Sequence, residues 1–185
     1  QVLEDSRALQ YGPPVERLKE QVVELMKLRG ICCDTGRVVI TSGAQQGIDI
    51  ATRLLVEHGG AVALERLCYT GVQQALAPLR PTRVTVPSDL EAGLDVEYLE
   101  RRLRAGDRFA YLYVVPDAHN PLGVSLASER RERLVELARE FGFWLLEDDP
   151  YGLLGYDGDF APPLAALDER QVIYLGSFSK ILAPG

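Results

Sequence analysis

The sequence predicts an α/β fold, a three-layer sandwich in which helices cover both faces of a mainly parallel sheet. Three observations carry this expectation. Short β-branched runs alternate with helix-period segments along most of the 185 residues. One run, FAYLYVV at 109–115, is apolar without interruption, as a strand covered on both faces should be. The polar stretches follow the predicted strands directly, where ligands bind in sheets of this kind.

Each element has its own signal. Val15, Leu18, Val22, Leu25 and Met26 recur at helical spacing between Pro13-Pro14 and Gly30, which predicts a helix over 14–29. RVVIT at 37–41 reads as the first strand, followed by a helix through QQGIDIATRLLVE that stops at Gly59. AVAL at 61–64 is the second strand, GVQQALAPL a short helix and RVTV at 83–86 the third strand. A helix over 96–104 ends before Gly106, and 109–115 is the fourth strand. Ser125 or Ser128 is placed to cap a charged helix reaching Phe141. FWLLE at 143–147 and VIYL at 172–175 complete six strands. Parallel neighbours need crossover connections, and the intervening helices supply them. Residues 1–30 are expected to form an N-terminal segment and helix, and residues 31–185 the α/β domain.

Composition narrows the function. A net charge of -7 argues against a nucleic-acid or membrane-surface role, since neither attracts an acidic protein. No apolar run reaches transmembrane length, and the first thirty residues lack the basic start and apolar middle of a signal peptide. Cys32, Cys33 and Cys68 fit neither a disulfide framework nor metal-ligand spacing, which predicts reduced, buried thiols in a cytoplasmic protein. Two histidines far apart in sequence offer no metal site.

Four stretches carry polar chemistry. TSGAQQG, 41–47, places Gly43, Ala44 and Gln45 at a helix N-terminus, where main-chain N–H groups can cradle a phosphate; a simple capping turn fits the same residues. PDAHNPLG, 116–123, holds Asn120 before Pro121 and reads equally as a turn. LLEDDPYG, 145–152, ends a buried strand in three carboxylates, which is costly unless one meets a cation or a protonated ring nitrogen; the alternative is a solvated acidic turn. SFSK, 177–180, raises Lys180 from a strand end. The chain has three lysines against seventeen arginines, and the other two lie on a polar helix face. Apolar Ile181 and Leu182 beside it would favour the unprotonated amine that attacks a carbonyl, whereas a solvated loop charge is the plain reading.

The order of these motifs resembles the fold-type I pyridoxal-phosphate enzymes, and most closely class I/II aminotransferases of the 2-aminoadipate and kynurenine type. The resemblance runs from ALQYG at 8–12 to LAPG at 182–185. It implies pyridoxal 5'-phosphate as cofactor, with Lys180 forming the Schiff base and shuttling the proton. Asp148 would pair with the ring nitrogen, Asn120 and Tyr151 with the phenolic oxygen, and Tyr69 would stack on the ring. Gly43, Ala44, Gln45, Ser177 and Ser179 would hold the phosphate. Tyr11 is similar to the tyrosine that reaches the phosphate of the neighbouring subunit, which implies a homodimer. The implied substrates are an amino acid (2-aminoadipate, aromatic or branched) and a 2-oxo acid such as 2-oxoglutarate. The resemblance also implies a large domain incomplete at its C-terminus, lacking a seventh, antiparallel strand and a small domain, and folding poorly alone. Two rival readings share the motifs: the effector domain of a transcription regulator behind a winged helix, and a lyase or decarboxylase. Asn120 and Pro150-Tyr151 favour the enzyme, because the regulators tend to carry other residues there.

Overall fold

The computed structural model describes residues 12, 16–57, 59–155 and 161–182. The chain divides into two compact units, Gln1–Ile40 and Thr41–Gly185. In the first, helix α1 (Glu16–Leu28) buries Val23 and Met26, and Ile31 is buried just beyond it.

The predicted strand at 37–41 does not form. Asp34 accepts a hydrogen bond from the Arg37 N–H at 3.1 Å and caps a 3-10 turn over Thr35–Arg37. The rest of the run pairs with no strand among the described residues, and Val39 is 76% exposed. β-branched residues favour a pleated, half-buried surface, and without a ladder partner that preference has nothing to act on.

The second unit carries the sheet. Strands β1 (Ala61–Glu65) and β2 (Thr82–Val86) are followed by a short antiparallel ribbon, β3 (Ser88–Asp89) with β4 (Gly93–Leu94), which sequence patterning did not anticipate. Strands β5 (Tyr111–Val114), β6 (Trp144–Asp149) and β7 (Val172–Gly176) complete a five-stranded sheet in the order β2-β1-β5-β6-β7. All of its pairings are parallel. The expected six strands are therefore five.

Helices α2 (Ala44–Leu55), α3 (Thr70–Leu76), α4 (Val96–Arg104), α5 (Ser128–Phe141) and α6 (Leu164–Leu167) connect them. Helix α5 starts at Ser128, but its N-cap is Ala127 with no side-chain cap; the Ser125 hydroxyl instead accepts the Ala118 N–H at 3.1 Å. The strand period of two sorts the core. Val62, Leu64, Tyr111, Tyr113 and Leu146 share one face with Ile48 and Ala51 of α2 and Val72, Ala75 and Leu76 of α3. Glu147, on the other face, accepts the backbone N–H groups of Leu164 and Ala165 of α6 at 2.7 and 2.9 Å. Helices therefore cover both faces, and β5 is buried along its whole length.

The cysteines differ from expectation. All three are free, but Cys32 is exposed and Cys33 and Cys68 are only partly covered. All three lie in connecting segments, and only Cys68 packs against the core cluster.

Candidate active site

The parallel strands run in one direction, so the loops that leave their C-terminal ends meet on one rim. Glu65, Val114, Asp149 and Gly176 end β1, β5, β6 and β7. The Tyr69, Asn120, Tyr151 and Lys180 segments follow them.

At the start of α2, Gly43 has φ +80°, a conformation open to glycine at no cost, and supplies no side chain to cap the helix. The first N–H groups of α2, including those of Ala44 and Gln45, have no intrahelical acceptor and carry the positive end of a twelve-residue helix. The Gln45 side chain turns away and donates to the Gly71 carbonyl at 2.9 Å. A Cβ at Gly71 would stand 2.0 Å from Gln45 Oε1 and 2.2 Å from the Tyr69 ring, so both side chains would have to shift. Its absence lets the cradle and the Tyr69 segment close on each other. Tyr69 itself is the N-cap residue of α3 and 37% exposed.

The three carboxylates after β6 are divided by strand alternation. Glu147 and Asp149 take one face and Asp148 the other. Glu147 is fully buried on its two N–H donors, and burial pushes its carboxyl up to about 8. Asp149 accepts the Gly152 N–H at 2.6 Å and the Tyr174 hydroxyl at 2.8 Å, which shapes the turn carrying Tyr151. Asp148 is 5% exposed, and its Oδ2 accepts the Tyr113 hydroxyl at 2.5 Å. Burial raises its carboxyl to about 6, with Asp149 adding to the effect and the Tyr113 hydrogen bond opposing it. No cation pairs with Asp148 among the described residues.

The Asn120 turn rests on buried polar groups that sequence reasoning missed. Arg131, 1% exposed, donates from Nε to the Leu126 carbonyl at 2.9 Å and from Nη2 to the Pro116 carbonyl at 2.9 Å and to Asp117 at 2.6 Å, which joins both ends of the turn. Its Nη1 reaches the Pro162 carbonyl at 3.2 Å. Beneath the turn, His119 Nε2 stands 3.3 Å from Glu65 Oε1 without being aimed for a hydrogen bond, and Glu65 Oε2 accepts the Ser88 hydroxyl at 2.7 Å. Asn120 itself is exposed, and its peptide bond to Pro121 is cis.

After β7, Ser177 Oγ accepts the Ser179 N–H at 3.2 Å, and Phe178 closes a turn by accepting the N–H of Leu182 at 2.9 Å. Lys180 is exposed on this turn, so the burial by Ile181 and Leu182 expected to act on its amine is not present in this chain. Of the anticipated site residues, Gly43, Ala44, Gln45, Tyr69, Asn120, Asp148, Tyr151, Ser177, Ser179 and Lys180 all lie on the rim. Tyr11 lies outside the described residues. Tyr113 and Gly71 were not anticipated. The available signal for Tyr113 was its hydroxyl in a fully apolar run, because a buried phenol needs an acceptor.

The parallel α/β sheet gathers an uncapped helix N-terminus, a buried carboxylate and an exposed lysine on one rim, and comparison with known proteins places the chain in a family. The chain belongs to the aminotransferase class I and II family, whose model matches residues 1–184. It is 38% identical over 188 residues to aromatic-amino-acid aminotransferase 1 of Thermococcus litoralis, covering 97% of this chain and 45% of that protein. The crystal structure of Pyrococcus horikoshii kynurenine aminotransferase in complex with PMP superposes with TM-score 0.91 at 39% identity, over 100% of this chain and 48% of that one. That of Thermus thermophilus alpha-aminoadipate aminotransferase, complexed with N-(5'-phosphopyridoxyl)-L-leucine, superposes with TM-score 0.91 at 34% identity, over 100% and 47%. The chain spans about half the length of the relatives it matches.

The residues present fit a phosphorylated pyridine cofactor. The uncapped N-terminus of α2 suits a phosphate, and a buried carboxylate without a cation suits a protonated ring nitrogen.

Proposed function

We propose that the protein is a pyridoxal-phosphate-dependent aminotransferase, which moves the amino group of an L-amino acid of the 2-aminoadipate, aromatic or branched type to a 2-oxo acid such as 2-oxoglutarate. The observation that carries this reading is Asp148: a carboxylate buried at the C-terminal end of β6, held by one neutral donor and facing no cation among the described residues. When bound, the cofactor supplies a protonated ring that disperses the charge left on a substrate's α-carbon.

Each residue then has a task. The N–H groups at Gly43, Ala44 and Gln45, with the hydroxyls of Ser177 and Ser179, bind the phosphate. Asn120 and Tyr151 hydrogen-bond the ring's phenolic oxygen and fix its rotation. Tyr69 covers the ring face and keeps water from it. Asp148 holds the proton on the ring nitrogen. Lys180 anchors the cofactor through Nζ and afterwards moves the proton at the substrate's α-carbon. In this reading Tyr11 serves the phosphate of a second subunit, which makes the working form a homodimer. Three free thiols support a reducing, cytoplasmic setting.

The test is amino transfer itself. Full-length protein loaded with cofactor is incubated with 2-oxoglutarate and, in turn, 2-aminoadipate, kynurenine, phenylalanine and leucine, and glutamate formation is measured. Formation with at least one donor is expected. No glutamate from any of them sinks the reading.

A further inference from the structure

Two tyrosines of β5 share a face, and each finds a hydrogen-bond partner for its hydroxyl, but of different kinds. Tyr111 meets the neutral Thr52 hydroxyl at 2.9 Å. Tyr113, 1% exposed, donates to Asp148 at 2.5 Å. The geometry follows from register. Tyr113 pairs with Leu146 across β5 and β6, so Asp148 lies two residues further along the same face, a rise of about 6.6 Å that the length of a phenol spans. Only one carboxylate oxygen is used. Oδ2 takes the phenol, and Oδ1 accepts nothing among the described residues.

We propose that Tyr113 is a positioning residue that fixes Asp148 by Oδ2, so that Oδ1 is the oxygen left for the ring nitrogen of the cofactor. The proposal rests on the reading that Asp148 binds that nitrogen. Among the described residues, the titratable groups facing the pair are Asp149 beside Asp148, and Cys68 and Tyr69 beside Tyr113. None is cationic. The phenol is therefore the one donor that favours the ionised carboxylate against burial and Asp149, and removing it shifts Asp148 toward its neutral form.

This separates a positioning role from a merely structural one, because loss of packing weakens binding equally at every pH. Affinity for pyridoxal phosphate is measured from pH 5 to 8.5 on the full chain, as wild type, Tyr113→Phe, Asp148→Asn and the double variant. In Tyr113→Phe the acid limb of binding is expected to move upward, with about tenfold weaker binding at pH 6 and affinity within about twofold of wild type at pH 8.5. In the Asp148→Asn background the second change is expected to alter affinity less than twofold. Equal weakening of Tyr113→Phe at all pH values, or a further loss of more than about threefold in the double variant, overturns the proposal. If the buried charge left by Tyr113→Phe prevents folding, Asp148→Asn against the double variant still decides. Unchanged affinity in Asp148→Asn overturns the Asp148 reading and the proposal with it. Wild-type behaviour of Tyr113→Phe beside a weakened Asp148→Asn overturns the proposal alone.

Discussion

Gly71 illustrates how much of this site depends on a missing atom. It sits inside α3, where alanine would ordinarily favour the helix by about 1 kcal/mol. At this position a Cβ would meet Gln45 Oε1 and the Tyr69 ring far inside van der Waals contact, so one of them must leave. Gly71→Ala is expected to weaken pyridoxal-phosphate binding about tenfold or more, a loss of about 1.4 kcal/mol, while changing thermal stability by less than that. A fluorescence titration beside a melt checks both, and unchanged affinity would show that the Gln45 and Tyr69 positions do not matter to the ligand.

Among the elements, the loop after β5 depends on α5. Arg131 binds the carbonyls of Pro116, Leu126 and Pro162 and the Asp117 carboxylate from a position 1% exposed. Arg131→Met keeps the stem and removes every donor, which leaves buried acceptors unmade. Urea unfolding is expected to register a loss of about 3 kcal/mol or more, and a loss below about 1 kcal/mol would mean that the Asn120 turn holds itself. The sequence made much of this level legible. Strand alternation and apolar runs located all five strands of the sheet, and punctuation by glycine and proline located the rim motifs. It failed where a partner decides. The run at 37–41 has strand composition but no ladder, and the β3-β4 ribbon has a ladder with little composition to announce it. Arg131, His119 with Glu65, and Tyr113 were invisible because each owes its role to a residue 14 to 54 positions away, brought near only by the fold.

For the molecule as a whole, buried carboxylates set the pH at which it is most stable. The folded-state values of Asp148 and Glu147, about 6 and about 8, lie above those of exposed carboxylates, so the stability they contribute is complete at low pH and is lost as pH rises through those values. Asp89, held near 2 chiefly by the Ala92 N–H and then by Arg130, acts in the opposite sense, and its contribution is lost only in strong acid. Unfolding free energy is therefore expected to fall by about 1–3 kcal/mol between pH 5.5 and 8, and Glu147→Gln should flatten most of that slope. A stability that rises across the interval would contradict the burial of Glu147. Whether the rim holds pyridoxal phosphate for amino transfer, with Lys180 as its anchor, is read from absorption spectra. Full-length protein with bound cofactor is recorded before and after glutamate is added. The pyridoxal band should give way to that of pyridoxamine phosphate in wild type, and no pyridoxamine phosphate band should form in Lys180→Ala. A band that ignores glutamate and every other amino donor in wild type, or one that converts at the same rate without Lys180, would contradict the account.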